Sequence, residues 1–220
     1  YKRQGLSGRM VAAQIKAIRA AFDDRPPGLV RHVERVVVEA VDLADRWGAD
    51  PERATLAGWG HDLFRALSGK EQLRLAREVG LSVSAEDEAD PVLLHGPNAA
   101  IVLRERFGVT DEDALAAIKN HTLGMPEMPL LAKIILIADK VEPRKRAHTP
   151  IMRDIRRLAR RDLDLALLCW ADWKWVEERT RGWGSHPQHW QARQRWVAEH
   201  HAEIGLPGRV DDDAEAPELT

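Results

Sequence analysis

Residues 130–141, LLAKIILIADKV, are apolar on nearly every face that a helix would present. A helix with a single apolar stripe packs on a surface, whereas one that is apolar all round has to be buried. We therefore predict a central helix that its neighbours enclose. The segment ends with Asp139, and burying a carboxylate without a partner costs several kcal/mol. A cation is therefore expected close to Asp139.

Other segments repeat apolar residues with the period of a helix, and turn or capping residues separate them. Asp50 before Pro51, and Ser68 with Glu71, are typical of helix starts. Valines 36–38 could form a strand, but their flanking pattern favours a helix, and no alternating strand pattern occurs elsewhere. The sequence therefore predicts an all-α fold. The further predicted helices are 9–22, 29–47, 51–67, 69–79, 95–108, 110–121, a helix begun by Thr149-Pro150, 162–180 and 187–203.

We predict one helical domain over residues 29–203, preceded by an N-terminal helix and linker at 1–28. The last eleven residues, VDDDAEAPELT, carry five acids and no base. Such composition is typical of disorder, so 204–220 is predicted to be a disordered acidic tail. Six of the eight tryptophans lie between 170 and 196, where packing in the core or on a homodimer face explains them better than ligand binding.

Composition excludes several classes of function. The net charge is −2, and without its acidic tail the chain is only mildly basic, which suits a phosphorylated small molecule rather than nucleic acid. No apolar run is long enough to cross a membrane, and no secretory signal is expected. Cys169 is the single cysteine, which excludes an internal disulfide and fits a cytoplasmic location.

Histidines and aspartates at separate places in the chain form a candidate metal site. His61 and Asp62 are adjacent, and His32 lies in the middle of a predicted helix. His95 and His121 each stand at a helix boundary near a glycine, in LLHGP and NHTLG. Imidazole and carboxylate together suit Fe, Mn, Co or Zn better than Ca²⁺. Read alone, each of these histidines would more often be an ordinary core residue.

The order His32, His61-Asp62, Asp139 resembles the HD-domain metal-dependent phosphohydrolases. The segments LLHGP, NHTLGMPEMPLLAKIILIADKVEPRK and RGWGSHPQHWQARQRW are similar to one branch, the YqeK-type symmetrical diadenosine tetraphosphate hydrolases. The resemblance implies an HD-type helical bundle. It also implies a cytoplasmic enzyme that cuts diadenosine tetraphosphate into two ADP.

The resemblance implies a ligand set for two divalent metal ions, for which iron is favoured and Mn, Co, Ni or Zn would also fit. The first ion would be held by His32, His61, Asp62 and Asp139, and the second by His95 and His121, with Asp62 or a water as the bridge. Asp62 would be catalytic. Arg65 would be catalytic and bind phosphate; the family usually has lysine there, and arginine keeps the charge but does not donate a proton at neutral pH.

Several residues are further candidates for substrate binding. Thr122 and Gly124 could present a hydroxyl and backbone N–H groups to a phosphate. The basic run that begins at Lys140 and includes Arg144 is either a solvated loop or a phosphate clamp. Lys119 could offset charge on the reacting phosphate. Two alternatives remain open: another HD phosphohydrolase acting on nucleoside monophosphates or cyclic nucleotides, and a nucleotide-binding module without turnover.

Overall fold

The computed structural model describes residues 2–203, with side chains over 8–202. Within that range the chain is helical, without a strand, as predicted. A short 3₁₀ segment, Pro91–Leu94, precedes the sixth helix. The α-helices are α1 (Lys2–Ala20), α2 (Pro27–Trp47), α3 (Pro51–Gly60), α4 (Gly69–Glu78), α5 (Ala85–Ala89), α6 (His95–Phe107), α7 (Glu112–Asn120), α8 (Leu130–Val141), α9 (Pro143–His148), α10 (Ile151–Ala159), α11 (Leu163–Arg181) and α12 (Pro187–Glu203).

Helix α8 is the centre of the bundle. It packs against α2, α3, α7, α10 and α11. Its run Ile134–Ile137 is completely buried, and Asp139 near its C-terminal end is only 5% exposed. The prediction of an enclosed central helix is confirmed, and the carboxylate of Asp139 lies inside the protein as the sequence required.

Helix α3 ends earlier than predicted, and this change shapes the site. The sequence pattern extended the helix to residue 67, but α3 ends at Gly60. Tighter turns follow, in which the N–H groups of Leu63 and Arg65 donate to the carbonyls of Gly60 and Asp62 at 3.3 and 3.0 Å. Glycine is a weak helix former, and His61 Nδ1 is hydrogen-bonded to the Gly58 carbonyl in the last turn of α3. His61 and Asp62 therefore lie at a helix end instead of inside a helix.

The helix starts follow the sequence signals closely. The side chain of Asp50 caps α3, and Ser68 with Glu71 forms the predicted capping box of α4. Helix α7 begins at Glu112, two residues after the predicted start at 110, because the carboxylate of Asp111 accepts from Ala114 N–H and caps the helix. A basic stretch that could have been a loop is the short helix α9, which Glu142 caps.

The two ends of the described chain pack onto the bundle. Helix α1 lies against α3, and Ile18 and Phe22 belong to the hydrophobic core. Trp170 and Trp196 of the C-terminal helices are buried in the same core, whereas Trp183 is 47% exposed. No helix over residues 2–203 is long and apolar enough for a membrane span. The predicted acidic tail at 204–220 lies outside the described residues, and the domain limits stay predictions.

Candidate metal centre

The six predicted ligands come from different helices and their ends, and the four histidines among them meet around the carboxylate of Asp62. One of its oxygens, Oδ2, lies 3.5 Å from His32 Nε2 and 3.6 Å from His61 Nε2. The other oxygen, Oδ1, lies 3.2 Å from His95 Nε2 and 3.5 Å from His121 Nε2. The two oxygens of one carboxylate thus face two separate pairs of imidazoles.

Each pair forms a group with Asp62, and within each group the possible ligand atoms all lie within 4.8 Å of one another. The first contains His32, His61 and Asp62; the second contains Asp62, His95 and His121. His61 is completely buried, and His95, His121 and Asp62 are nearly so. A buried cluster of this composition is suited to hold a divalent cation, because imidazole and carboxylate are strong donors for transition metals.

In three of the four histidines, the ring nitrogen that points away from the cluster is held by a backbone carbonyl. A carbonyl can only accept, so Nδ1 carries the proton and Nε2 presents a lone pair to the cluster. The fixed tautomer is the one that a metal ligand needs. The Nδ1 partners are Gly58 for His61 at 2.7 Å, Val92 for His95 at 2.5 Å, and Ile118 for His121 at 2.8 Å.

Two observations test whether a cation fits these residues. The buried His61 Nε2 has no hydrogen-bond partner, although an unpaired buried acceptor is unfavourable. His95 Nε2 and His121 Nε2 lie 2.9 Å apart, which brings two lone pairs together. Burial lowers the pKa of His121 to about 4, so its ring is neutral at neutral pH and supplies no proton for that contact. A cation in the first group would take the His61 nitrogen, and a cation in the second would take those of His95 and His121.

The carboxylates of the cluster are held in their charged form. Asp62 belongs to both groups, so a divalent cation in either of them would hold this carboxylate in its charged form. Burial acts to raise the pKa of Asp139, and Lys140 and Lys145 overcome it. Charged carboxylates are the form that ligates a metal.

Asp139 lies beside the first group and has additional partners. Its Oδ1 is 3.1 Å from His32 Nε2 and accepts from Lys145 Nζ at 2.5 Å. Its Oδ2 accepts from Lys140 Nζ at 2.7 Å. The carboxylate thus reaches the ligand His32 while two ammonium groups neutralise it, and its assignment as a ligand stays a prediction.

Of the predicted substrate residues, Thr122 and Lys140 lie at the cluster. The Thr122 hydroxyl is 3.1 Å from His121 Nε2 and 3.5 Å from His95 Nε2. The Lys140 ammonium contacts Asp139 and lies 5.5 Å from the centre of the Trp170 ring. Both groups are therefore placed where a ligand bound at the cluster would meet them.

The other substrate candidates are exposed or already engaged. Arg65, Lys119 and Arg144 are exposed. Lys119 lines a groove of about 550 Å³ between α6 and α7 whose lining includes none of the six predicted ligands. Gly124, with φ +73°, donates its N–H to the Asn120 carbonyl at 2.8 Å. The N–H that was expected to meet a phosphate therefore already has an acceptor.

The sequence interpretation missed Glu142. Its carboxylate is almost completely buried and lies 3.5 Å from His32 Nδ1. The sequence placed Lys145 only within the basic run, as part of a loop or a phosphate clamp, whereas in the structure its ammonium donates to Asp139. The pattern Glu-Pro just after a buried helix is typical of a capped helix start, and it was the available signal for Glu142.

Gly96 is packed so closely that it offers a test of the His121 position. A Cβ at this residue would lie 2.9 Å from the carbonyls of Ile118 and Lys119 and 3.2 Å from the His121 ring. We expect Gly96→Ala to displace the ring and to lower metal affinity at the second group by about tenfold or more, as changes behind metal ligands do. Titration of the metal-free protein with Co²⁺ measures this effect.

Gly28→Ala is the matched control, because nothing lies within 4 Å of a Cβ at residue 28. It should bind Co²⁺ as the unaltered protein does. Equal Co²⁺ binding by the Gly96→Ala variant would contradict the assignment of His121 to the metal site.

Comparison with known proteins gives the same result as the motifs. The HD domain family matches residues 29–144, more than half of the chain. The symmetrical bis(5'-nucleosyl)-tetraphosphatase of Halalkalibacterium halodurans is 39% identical over 140 residues, which cover 63% of this chain and 72% of the relative. The protein of the same name from Bacillus subtilis is 36% identical over 137 residues, covering 62% and 72%.

A solved structure extends the likeness to the fold. The crystal structure of a predicted HD superfamily hydrolase from Clostridium acetobutylicum, described as involved in NAD metabolism, aligns with a TM-score of 0.79 and 31% identity. The alignment covers 84% of this chain and 97% of that one. The chain therefore belongs to the HD domain family, and within it to the group of relatives that are named symmetrical bis(5'-nucleosyl)-tetraphosphatases.

Proposed function

We propose that the protein is a metal-dependent phosphohydrolase that cleaves dinucleoside polyphosphates, and that it cuts diadenosine tetraphosphate symmetrically into two ADP. The single observation that carries the proposal is the arrangement of four imidazoles around the two oxygens of Asp62. The substrate class comes from relatives that are named for this activity. The alignment with this chain covers 72% of the length of each.

The residues that would hold the metal follow from the two groups. His32, His61 and Asp62, joined by Asp139, would hold one ion, and His95, His121 and Asp62 the other. The donor set of nitrogen and carboxylate oxygen suits iron, our preferred assignment, and also Mn, Co, Ni or Zn. When bound, divalent ions make a water more acidic and offset phosphate charge.

The chain's own residues have separate tasks in the reaction. Hydrolysis adds one water across the bond between the second and third phosphates: its oxygen bonds to phosphorus, the bridging oxygen leaves with one ADP, and a proton is released. Asp62 can orient the water by accepting a hydrogen bond from it, and the released proton passes to solvent. Lys140 and Lys145 are positive groups at the edge of the cluster, and they can pair with phosphate oxygens in exchange for Asp139.

Two further residues are proposed to bind the substrate. The Thr122 hydroxyl lies within reach of both His95 and His121, so it can donate to a phosphate oxygen there. Arg65 follows Asp62 by three residues and is exposed, which leaves its guanidinium free to extend toward a phosphate. Arg144 on α9 and Lys119 stay predictions for more distant phosphates or ribose.

The second group of ligands favours this proposal over the alternatives. An HD enzyme that works with one ion needs only His32, His61, Asp62 and Asp139, whereas this chain also buries His95 and His121 against Asp62. The relatives are named as hydrolases, which favours turnover over nucleotide binding alone. A cytoplasmic location and a homodimer also stay predictions; exposed Val176 and Trp183 support a contact face on the C-terminal helices.

Product analysis tests the proposal. Incubation with diadenosine tetraphosphate should give ADP as the only nucleotide product, separated by anion-exchange chromatography, because a cut at the centre leaves identical halves. A chelator should abolish the reaction, and added Fe²⁺, Mn²⁺ or Co²⁺ should restore it.

AMP and ATP in equal amounts would contradict the symmetrical cut. Faster turnover of a nucleoside monophosphate or a cyclic nucleotide would favour the second alternative. Metal analysis of protein purified without added metal identifies the ion, and a content near two per chain is expected.

A further inference from the structure

Glu142 is a buried carboxylate held by donors from two helices. It is 1% exposed and lies between the end of α8 and Pro143. Its Oε2 accepts from Arg35 Nε at 2.6 Å and from the Arg144 backbone N–H at 2.8 Å. These bonds fix one oxygen, and with it the orientation of the whole carboxylate.

The other oxygen of Glu142 faces a metal ligand. Oε1 accepts a long bond from Arg35 Nη2 at 3.4 Å and lies 3.5 Å from His32 Nδ1, close enough for its charge to favour a proton on that nitrogen. His61, His95 and His121 each use a backbone carbonyl at Nδ1. His32 lies inside α2, where the carbonyls of the preceding turn accept the N–H groups of the helix. A carboxylate from another part of the chain therefore takes the place of a carbonyl.

We propose that Glu142 is a positioning residue of the metal centre: it holds His32 in the tautomer and orientation that direct Nε2 at Asp62 and Asp139. The same carboxylate caps α9 through Arg144 N–H, and α9 carries Lys145, whose ammonium reaches Asp139. One residue thereby links His32 to the basic helix. The inference rests on the proposed metal function and deepens it.

The chemistry of an amide makes the role of Glu142 testable. Glutamine has the shape of glutamate, but one of its oxygens is replaced by an NH₂ group that only donates. Oε2 accepts the two short bonds, from Arg35 Nε and Arg144 N–H, whereas Oε1 accepts only the long bond from Arg35 Nη2, so the amide oxygen would take the Oε2 position. The NH₂ group would then face His32 Nδ1, which favours the tautomer with the proton on Nε2. That nitrogen would have no lone pair for a metal.

The experiment compares Glu142→Gln with the unaltered protein after metal removal, using Co²⁺ as the probe. We expect the affinity of one of the two Co²⁺ positions to fall about 10- to 100-fold, with the other unchanged. In ¹⁵N-labelled protein loaded with Zn²⁺, long-range ¹H–¹⁵N spectra should show the His32 proton on Nδ1 in the unaltered protein and its loss from Nδ1 in Glu142→Gln. Folding is followed by circular dichroism and thermal melting.

Glu39→Gln is the matched control. Glu39 lies on α2, is 4% exposed, and pairs with Arg146 and Arg156. Like Glu142, it is buried and pairs with arginine side chains. Its partners are Arg146 and Arg156, however, and it makes no ion pair with His32. A merely structural loss should appear in both variants, whereas the Co²⁺ and tautomer changes should appear only in Glu142→Gln.

Each remaining outcome decides the inference. Co²⁺ binding and a His32 tautomer unchanged in Glu142→Gln, or an equal loss at both positions, would overturn it. No Co²⁺ binding by the unaltered protein would instead overturn the proposed function. If Glu142→Gln does not fold, Glu142→Asp is tested instead. Aspartate keeps the charge and is a good helix cap, but its shorter side chain withdraws the oxygen from His32. The inference again requires weaker Co²⁺ binding at one of the two positions only.

Discussion

Asp62→Asn should lower kcat/KM by about three orders of magnitude or more and reduce the bound metal at both positions, since removing a group central to a catalytic unit has effects of that size. The carboxylate faces His32 and His61 with one oxygen and His95 and His121 with the other. An amide keeps the volume but offers one neutral oxygen, so neither group retains its charged ligand. Kinetics with diadenosine tetraphosphate and metal analysis of the same sample measure both effects.

Asp42→Asn provides the control for that prediction. Asp42 also lies in the bundle and pairs with Arg156 on α10 and with Arg160 just after that helix; neither ligand group contains it. Its replacement removes a carboxylate and two ion pairs, and it should leave metal content and kcat/KM within about twofold, because partly exposed pairs contribute little. If Asp62→Asn retained both metals and most of its activity, the shared-carboxylate arrangement would be wrong.

The main parts of the fold could be predicted because they depend on local signals. The all-round apolar character of residues 130–141 required burial, and α8 is the enclosed helix. Capping residues such as Asp50 and Ser68 act within a few positions of the chain, so they mark helix starts without knowledge of the tertiary structure. Such signals need no partner elsewhere in the sequence.

The end of α3 could not be predicted from the same signals. The apolar pattern continues through His61 and Asp62 to Leu67, and nothing nearby in sequence requires the helix to stop at Gly60. The end of the helix coincides with close tertiary contacts. A Cβ at Gly60 would lie 2.7 Å from Ile118, and Asp62 faces histidines from other helices. Packing decides where this helix ends.

The ligand set and the substrate residues differ in how far the sequence reveals them. The predicted ligands are histidines and aspartates, a limited set of residue types, and the structure brings together five of them, His32, His61, Asp62, His95 and His121. Most phosphate-binding residues are long cations that many surfaces carry, and Arg65, Lys119 and Arg144 of those predicted are exposed, whereas Lys140 contacts Asp139. Glu142 escaped notice because its role depends on a distance to a helix more than a hundred residues earlier.

The second group of ligands carries the other large prediction. His95→Ala should lower the metal content by about one ion per chain and reduce kcat by about a hundredfold or more, because an electrostatic group of the reacting centre is lost. The ring is 3% exposed, and its Nε2 is 3.2 Å from Asp62 Oδ1 and 2.9 Å from His121 Nε2. Metal analysis and single-turnover kinetics on one preparation separate the loss of metal from the loss of rate.

His189→Ala is the matched control. This histidine is also 3% exposed, and its Nδ1 is likewise hydrogen-bonded to a backbone carbonyl, that of Leu123, at 3.0 Å. It packs against Trp170 and belongs to neither ligand group. Both variants leave a cavity of the same size, so a similar loss of thermal stability is expected in each. Only His95→Ala should change the metal content. If that variant kept its full metal content, Asp62, His95 and His121 would be a polar cluster of the core. Catalysis would then be left to the group around His32.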